Sequence, residues 1–352
     1  MIERDNLHYS WRTIDGYNKP YNFVMSPREP GKTSMMWLEK VYLPWKKDRR
    51  PWVYFVRKTV EITEALITSI FDTTINKFTD DNVTPEFKTG AFKDGIVDVS
   101  INGELFFRIV SLSIDLRRIK LAVVPKIKAV FMDEYIIDPR SGEKYIKNEA
   151  FKIKEAYTTW RRESDSMLKM YFAANPYSLF NPLFVDWGVP VGKLRKGAFY
   201  VGDVYVIEWA QLNPLLKEKL LRENPLYKFD EEYNEYALEG VAVNDRNIKL
   251  GNLPQNYYLQ FVVRMEGKSI GIFRNNYADD HEDRYFCQFL DSVGVSRVVY
   301  CFDFDSMVER SVLMSWEDRA CFERFKDAMR RRLVSFQDVN VYYYVAELYK
   351  NI

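Results

Sequence analysis

The sequence predicts an α/β protein in which a mostly parallel sheet, covered by helices on both faces, precedes a linker and an α+β domain. Three observations carry this. Predominantly apolar runs of strand length, at 21–25, 127–132 and 168–174, alternate with helical patterns, as strands buried on both faces do. Gly31-Lys32-Thr33 joins the first of these runs to a helical segment. After residue 256 the spacing changes to closely joined strands followed by helices. A chain of 352 residues has room for two or three domains.

Composition removes several alternatives. Lysine plus arginine number 51 and aspartate plus glutamate 50, a net charge of +1, so any surface for nucleic acid or an acidic membrane must be local. The 15 glycines and 14 prolines fall below the average share, which argues against disorder, and 24 Tyr, 24 Phe and 8 Trp signal large buried side chains. Two histidines, His8 and His281, disfavour a His-rich zinc site or a Ser–His triad. Cys287, Cys301 and Cys321 lack C-x-x-C spacing and read as reduced thiols of a cytosolic protein. The start, MIERDNLHYSWR, has two acids and no apolar core, and no run reaches the ~18–20 apolar residues of a membrane span. Neither a signal peptide nor a membrane anchor is expected.

In chain order, Asp15-Gly16 signals a turn before the strand 21–25. The stretch SPREPGKTS turns the chain into a helix from Thr33 to about Tyr42, stopped by Pro44. A basic loop, 46–50, leads to a second strand, 52–57. Residues 61–78 have helical periodicity, with Ile62, Ala65, Leu66, Ile70 and Phe71 on one face. Residues 97–113 alternate about Asn102-Gly103, a hairpin signal. The strand 127–132 ends in Asp133-Glu134, a helix spans 148–162, and the strand 168–174 follows. The charged, partly helical stretch 213–245 suits a linker or lid. Strands are then expected at 257–264, 268–274, 284–290 and 298–304, and helices at 316–333 and 339–350, with Ser315-x-x-Asp318 as a capping box. Three hairpin strands continued by a strand and helices suggest RNase-H-like topology. The domains are placed at 1–210, 211–250 and 251–352.

Gly31-Lys32-Thr33 stands where a phosphate loop must, after a buried strand and at a helix N-terminus, whose free N–H groups favour an anion. Lys32 would reach the β- and γ-phosphates of a nucleotide, and Thr33 would ligate Mg²⁺. The loop departs from the Walker A pattern. Ser26 occupies the first glycine position, and Pro27 and Pro30 donate no N–H. Glu29, Gly31, Lys32, Thr33 and Ser34 remain as backbone donors, and Arg28 adds a charge that could face the nucleotide or a neighbouring subunit. One hundred residues on, AVFM precedes Asp133-Glu134 at a strand's C-terminal edge, where ligands bind in such sheets. Asp133 would hold the Mg²⁺ water shell and Glu134 would polarise the attacking water. A glycine turn and a strand end capped by acids are the plain alternatives. Asn175, at the tip of the strand 168–174, could sense the γ-phosphate or simply form a turn with Pro176. Arg161 and Arg162 end a helix, where cations suit the dipole without any further role.

Order and spacing together resemble the DNA-packaging motor ATPases of small short-tailed phages, the Bacillus-phage type that works with a packaging RNA. These are terminase-like P-loop NTPases that carry an additional catalytic glutamate. FVMSPREPGKTS resembles their phosphate loop, VYFVRK their second strand, AVFMDEYI their Walker B segment, YIKNEAF the next helix and AANPYSLFNPLF their strand-Asn motif. The resemblance implies nucleotide phosphate binding by Gly31 and Lys32, Mg²⁺ at Thr33 and Asp133, and catalysis by Glu134. It makes Arg161 a trans-acting arginine finger and Lys120 a second basic residue acting between subunits. Val60 stands near a family lysine, and Lys58 is the nearest cation. ATP is the implied nucleotide. The implied partners are double-stranded DNA, further copies in a pentameric ring and the procapsid portal, with a packaging RNA left open. The implied location is the host cytoplasm, transiently docked on the procapsid.

Terminase relatives end in an RNase-H-like nuclease, whose two-metal cleavage needs several converging carboxylates. The corresponding first strand here, 257–265, has no acid, and Asp303 and Asp305 are the best-placed pair. This reads as a nuclease fold without its nuclease, leaving binding. Arg330, Arg331 and Arg332 at a helix end, with Lys268, Arg274 and Arg297 among aromatics, offer phosphate contact or merely cap a helix. Lys193, Arg195 and Lys196 form a further basic loop that could face DNA or RNA. Three readings stand: a packaging motor, a terminase with active endonuclease, and a non-catalytic nucleic-acid-binding phage protein.

Overall fold

The apolar runs fold as their composition demands: β1 (Tyr21–Met25) and β2 (Trp52–Val56) are buried along their whole length. The computed structural model describes residues 7–138, 141–179, 181–229, 234, 237–238, 248–265, 267–278, 283–292, 298–301, 307–314 and 322–351. The chain divides into two units, Met1–Asn244 and Asp245–Ile352.

Among its described residues the first unit is built on eight strands. After β1 and β2 come β3 (Ile96–Ile101), β4 (Glu104–Ser111), β5 (Ala129–Asp133), β6 (Lys169–Ala174), β7 (Ala198–Val201) and β8 (Tyr205–Trp209), in the spatial order β3-β4-β2-β5-β6-β1-β8-β7. The six inner strands are parallel, and β3 and β7 close the edges antiparallel. Asn102 and Gly103 turn the expected hairpin with φ of 51° and 77°, the left-handed pair a two-residue turn demands. The short, half-exposed β7 carries too little apolar pattern to be read from sequence.

Helices cover both faces. A short helical turn, α1 (Arg12–Asp15), precedes β1, and α2 spans 32–48 as α-helix, a π-helical stretch at Met36–Tyr42, then α-helix again at Leu43–Asp48. This corrects two expectations. Pro44 does not stop the helix, and residues 46–48 are helical rather than loop. Proline normally clashes with the carbonyl four residues back, but here it occupies the first turn after a wider π stretch, where that clash is relieved. The next helix, α3 (64–78), contains a second π stretch at Phe71–Ile75. It buries Ile67, Ile70, Phe71 and Ile75, whereas Ala65, expected inside, is exposed. Trp37 of α2 packs on Tyr54, Phe107 and Phe131, fixing this layer to one face. On the other face lie α5 (Glu149–Trp160), following α4 (Leu116–Leu121), and α6 (Pro182–Asp186). There Trp160 stacks on Phe55 and Phe184 meets Phe23. The charged stretch after β8 contributes α7 (Pro214–Glu223) and α8 (Leu226–Phe229).

Among the described residues the second unit holds seven strands: β9 (Lys249–Leu250), β10 (Tyr257–Met265), β11 (Lys268–Asn275), β12 (Tyr285–Leu290), β13 (Val299–Cys301), β14 (Ser311–Leu313) and β15 (Val334–Phe336). Their order is β14-β13-β10-β11-β12-β15-β9. The first three expected strands form the antiparallel meander β10-β11-β12, and β13 pairs parallel with β10. The helix expected over 316–333 is α9 (Glu323–Arg330) among the described residues. It ends as Arg332 turns left-handed at φ 57°, which frees Val334 and Phe336 to join the sheet beside β12. Helix α10 (Val339–Asn351) follows, and Tyr285–Phe325 and Phe289–Tyr344 ring contacts seat both helices on one face. The capping box at 315–318, Asp303, Asp305, Arg297, His281 and Cys321 lie outside the described residues. Cys287 is a buried free thiol, and Cys301 is buried. Among the described residues no helix is long and apolar enough to cross a membrane.

Candidate active site

Strand β6 lies between β1 and β5, and the three end level, with Met25 opposite Ala174 and Asp133 opposite Ala173. The loop 26–31 leaves β1 at this edge. Its start is tied down by the Ser26 N–H, which donates to the Ala174 carbonyl at 3.1 Å. Glu29 and Gly31, at φ 74° and 75°, flank Pro30 in left-handed conformation. A side chain at Gly31 would be strained and would meet the His8 ring at 3.0 Å, so the position requires glycine.

From this loop α2 begins at Lys32. The buried Lys32 donates from Nζ to Asn175 Oδ1 at 2.7 Å, and Thr33 Oγ1 donates to Asp133 Oδ2 at 2.7 Å. Asn175 Nδ2 and Arg28 Nη2 both donate to the Tyr177 hydroxyl, at 3.2 and 3.1 Å. The Tyr227 hydroxyl donates to Glu29 Oε1 at 3.3 Å, and Ser34 is half-buried in the first helical turn. Arg28, Lys32, Thr33, Asp133, Glu134 and Asn175 are thus gathered at one sheet edge, although Lys32 and Asn175 lie 143 residues apart.

The electrostatics suit an anion. Burial pulls Lys32 down to about 8, against the opposing pull of Asp133 and Glu134. Burial raises Asp133 against the stabilising charge of Lys32 and the hydrogen bond from Thr33. Glu134 as a residue is open to solvent, yet the protein packed around its carboxyl raises its pKa, and the like charge of Asp133 adds to this. Cationic loop and paired acids face each other, an arrangement whose charges could hold a polyphosphate with a divalent cation and polarise a water beside it.

Glu134 itself stands at φ 53°, and its carbonyl accepts from Arg57 Nη1 and Nη2 at 3.3 Å each. Arg57 is buried and forms a two-pronged ion pair with the equally buried Glu149. In the sequence Arg57 is only the last residue of the expected strand 52–57. Its partner lies 92 residues away, and no local pattern joins them.

The remaining predicted residues lie elsewhere. Arg161 and Arg162 are exposed in the short turn Arg161–Glu163 and line a cavity of about 400 Å³ with Tyr157, Ser166, Met167 and Leu168. That cavity sits where β6 begins, a full strand of six residues, roughly 17–20 Å, from the edge that holds Lys32. Lys120 pairs with Glu155, and its carbonyl accepts from the Trp160 indole at 3.1 Å. Val60 is 79% exposed. Lys193 and Arg195 are exposed, Arg195 Nη1 folding back on the carbonyls of Gly192 and Leu194 at 2.7 and 2.8 Å, and Lys196 is half-buried. In the second unit Arg330 Nε donates to the Tyr349 hydroxyl at 3.2 Å, Arg331 lies 3.8 Å from Asp327, and Arg332 is exposed.

A mostly parallel α/β unit with a lysine-bearing loop opposite paired acids is followed in the chain by a second mixed sheet, and this fold is that of known DNA-packaging motor chains. Two solved structures share it over almost their whole length. One is a chain of the bacteriophage Phi-29 viral genome packaging motor assembly (TM-score 0.68, 20% identity, 98% of this chain and 99% of that one). The other is the Phi-28 gp11 DNA packaging motor (TM-score 0.64, 16% identity, 98% and 97%). The resemblance expected from the sequence motifs is therefore borne out in the fold. No protein-family model matches the chain, and no curated protein matches it.

Proposed function

We propose that this protein is an ATP hydrolase that drives double-stranded DNA into a viral procapsid as a homo-oligomeric ring. The observation that carries the reading is the pair formed by Thr33 and Asp133 at 2.7 Å, with Lys32 and Glu134 beside it. In this reading residues 1–210 are a P-loop NTPase domain, 211–250 a linker and 251–352 an RNase-H-like domain. The strand order β14-β13-β10-β11-β12 supports the last assignment.

The residues present fit ATP with Mg²⁺. That ion takes one or two protein oxygens and completes its shell with phosphate and water, and the Thr33 hydroxyl and Asp133 carboxylate are such a donor pair. Mg²⁺ would supply charge neutralisation of the phosphates. The amides of residues 31–34 and Lys32 bind them, Asn175 orients the γ-phosphate or the water, and Glu134, its basicity raised by burial and by Asp133, takes up the water's proton. Arg161 cannot reach Lys32 of its own subunit across the length of β6, which supports action on a neighbour's nucleotide. Lys120, pinned beside the same helix end, belongs to that face. The fold shared with two packaging motors supports DNA, the portal and a pentameric ring as partners, with a packaging RNA an open component. The working location is then the host cytoplasm.

The second domain binds rather than cuts, because Tyr257–Met265 offers no carboxylate. Lys193, Arg195, Lys196 and Arg330 to Arg332 are its and the loop's candidates for phosphate contact. Two assays test the whole reading. Steady-state ATP hydrolysis should fall by about 10²–10⁴ in Glu134→Gln, and nucleotide binding should be lost in Lys32→Ala. Plasmid DNA with Mg²⁺ or Mn²⁺ should remain uncut. Unchanged turnover in both variants would overturn the motor, and metal-dependent nicking would restore the endonuclease reading.

A further inference from the structure

We propose that the segment Tyr9–Trp11 is a brace that sets the phosphate loop in its binding conformation, with Trp11 as a positioning residue for Lys32. The inference rests on the reading of 26–34 as a phosphate loop. Three hydrogen bonds make the brace. The Tyr9 N–H donates to the Pro30 carbonyl at 2.8 Å, the Trp11 indole Nε1 donates to the Lys32 carbonyl at 2.8 Å, and the Tyr9 hydroxyl donates to Glu208 Oε2 at 2.5 Å. Glu208 lies on β8, next to β1, so the brace is anchored in the same sheet that launches the loop. The Trp11 ring is fully buried against Phe131 and Tyr171, at centroid distances of 6.3 and 5.8 Å, so its N–H is aimed by rigid neighbours.

The loop needs such support. A glycine-rich phosphate loop folds around its ligand through many amides, whereas two prolines subtract amides here and fix φ at two points. Glu29 holds a costly left-handed conformation on one side of Pro30, and Gly31 takes the same conformation on the other, which only glycine does without strain. The Pro30 carbonyl between them would otherwise lack a backbone partner, and Tyr9 provides one. The Lys32 carbonyl accepts both from the Met36 N–H within the helix and from Trp11. An indole inserted at that carbonyl competes with the helical ladder, and the π-helical stretch begins at Met36, immediately beyond. The brace therefore fixes the backbone from which the Lys32 side chain and the loop amides project.

The test uses the full-length protein. Trp11→Phe keeps an aromatic ring and removes the N–H, and Tyr9→Phe removes only the hydroxyl anchor. Binding of a fluorescent ATP analogue should weaken about 5–10-fold in Trp11→Phe and 2–5-fold in Tyr9→Phe. The KM for ATP should rise accordingly while kcat at saturating ATP stays within twofold, because bound phosphates reorder the loop. A general folding defect does the reverse: it lowers kcat through the active fraction and leaves KM alone. Amide hydrogen exchange without nucleotide supplies a readout independent of activity. Segment 28–34 should exchange faster in both variants while 107–111, in the central sheet, stays unchanged. Parental affinity and parental exchange in both variants would overturn the brace. Should the parent protein itself fail to bind ATP, the phosphate-loop reading falls, and the brace falls with it.

Discussion

The guanidinium of Arg57 and the carboxylate of Glu149 meet at 2.9 and 3.0 Å through two parallel hydrogen bonds, both side chains almost wholly removed from solvent. The remaining Arg57 donors hold the carbonyls of Glu134 and Tyr135. Glu149→Gln strands a buried cation, so stability should fall by about 3–5 kcal/mol, read as a shifted urea midpoint. A loss below about 1 kcal/mol would contradict the buried pair. Arg57→Met with Glu149→Leu removes both charges and should recover most of that stability. Turnover should nevertheless stay depressed, by up to about 10²-fold, because the Glu134 carbonyl has lost its two donors.

Lys32 carries a pH signature. Its pKa, drawn down to about 8 by burial, lies below that of the unfolded chain, so between pH 8 and about 10.5 the unfolded state binds more protons and this group favours the fold as pH rises. Nucleotide binding reverses the preference, since triphosphate favours the ammonium form. ATP affinity should therefore weaken above pH 8, and binding at pH 8.5–9 should take up a proton. Calorimetry in buffers of different ionisation enthalpy measures this, and Lys32→Arg should abolish the uptake.

Asp15 behaves oppositely. Burial pushes its carboxyl up, but hydrogen bonds from Lys169, Lys40 and Tyr171 outweigh it and hold the pKa at about 2. Its contribution is present above the unfolded value near 3.9 and is lost as pH falls toward 2. Asp15→Asn should lower Tm by roughly 2–6 °C at pH 7, with the gap from the parent closing between about pH 4 and 2. A gap independent of pH would mean the charge contributes nothing.

Arg161 supplies the sharpest test of assembly. Isolated subunits should hydrolyse ATP slowly, and an arginine provided in trans contributes roughly 10³–10⁵ in rate in comparable enzymes. Arg161→Ala should remove assembly-dependent turnover and leave nucleotide affinity largely intact. Mixed with Glu134→Gln protein, it should regain activity at interfaces that combine an intact Glu134 with a neighbour's Arg161. No rescue in rings shown to form would place the arginine outside the reaction.

What the sequence shows and hides follows from the range of each interaction. Strands β1, β5 and β6, the hairpin at Asn102-Gly103 and the loop around Lys32 announce themselves because apolar runs, turn residues and a glycine are local signals. The Thr33–Asp133 pair is legible through the spacing of two such signals. Pro44 misleads because a π-helical stretch five residues long or more leaves no distinct composition, and the proline rule assumes regular α geometry. Strands of two or three residues, such as β9 and β15, are too short for any period to register. Arg57 with Glu149, and Trp11 with Lys32, are partners only in three dimensions.

The interleaving of β6 between β1 and β5 also acts as a ruler. Neighbouring strands lie about 4.8 Å apart, so the strand that launches the loop and the strand that bears Asp133-Glu134 end roughly 10 Å from each other. Were β5 seated directly beside β1, the acids would press against the loop amides and cancel their attraction for phosphate. With one strand interposed, the backbones of the cationic and anionic halves stand apart, and the Thr33 and Asp133 side chains meet across the span. The interposed strand also puts an uncharged side chain, Asn175, at the midpoint of that span.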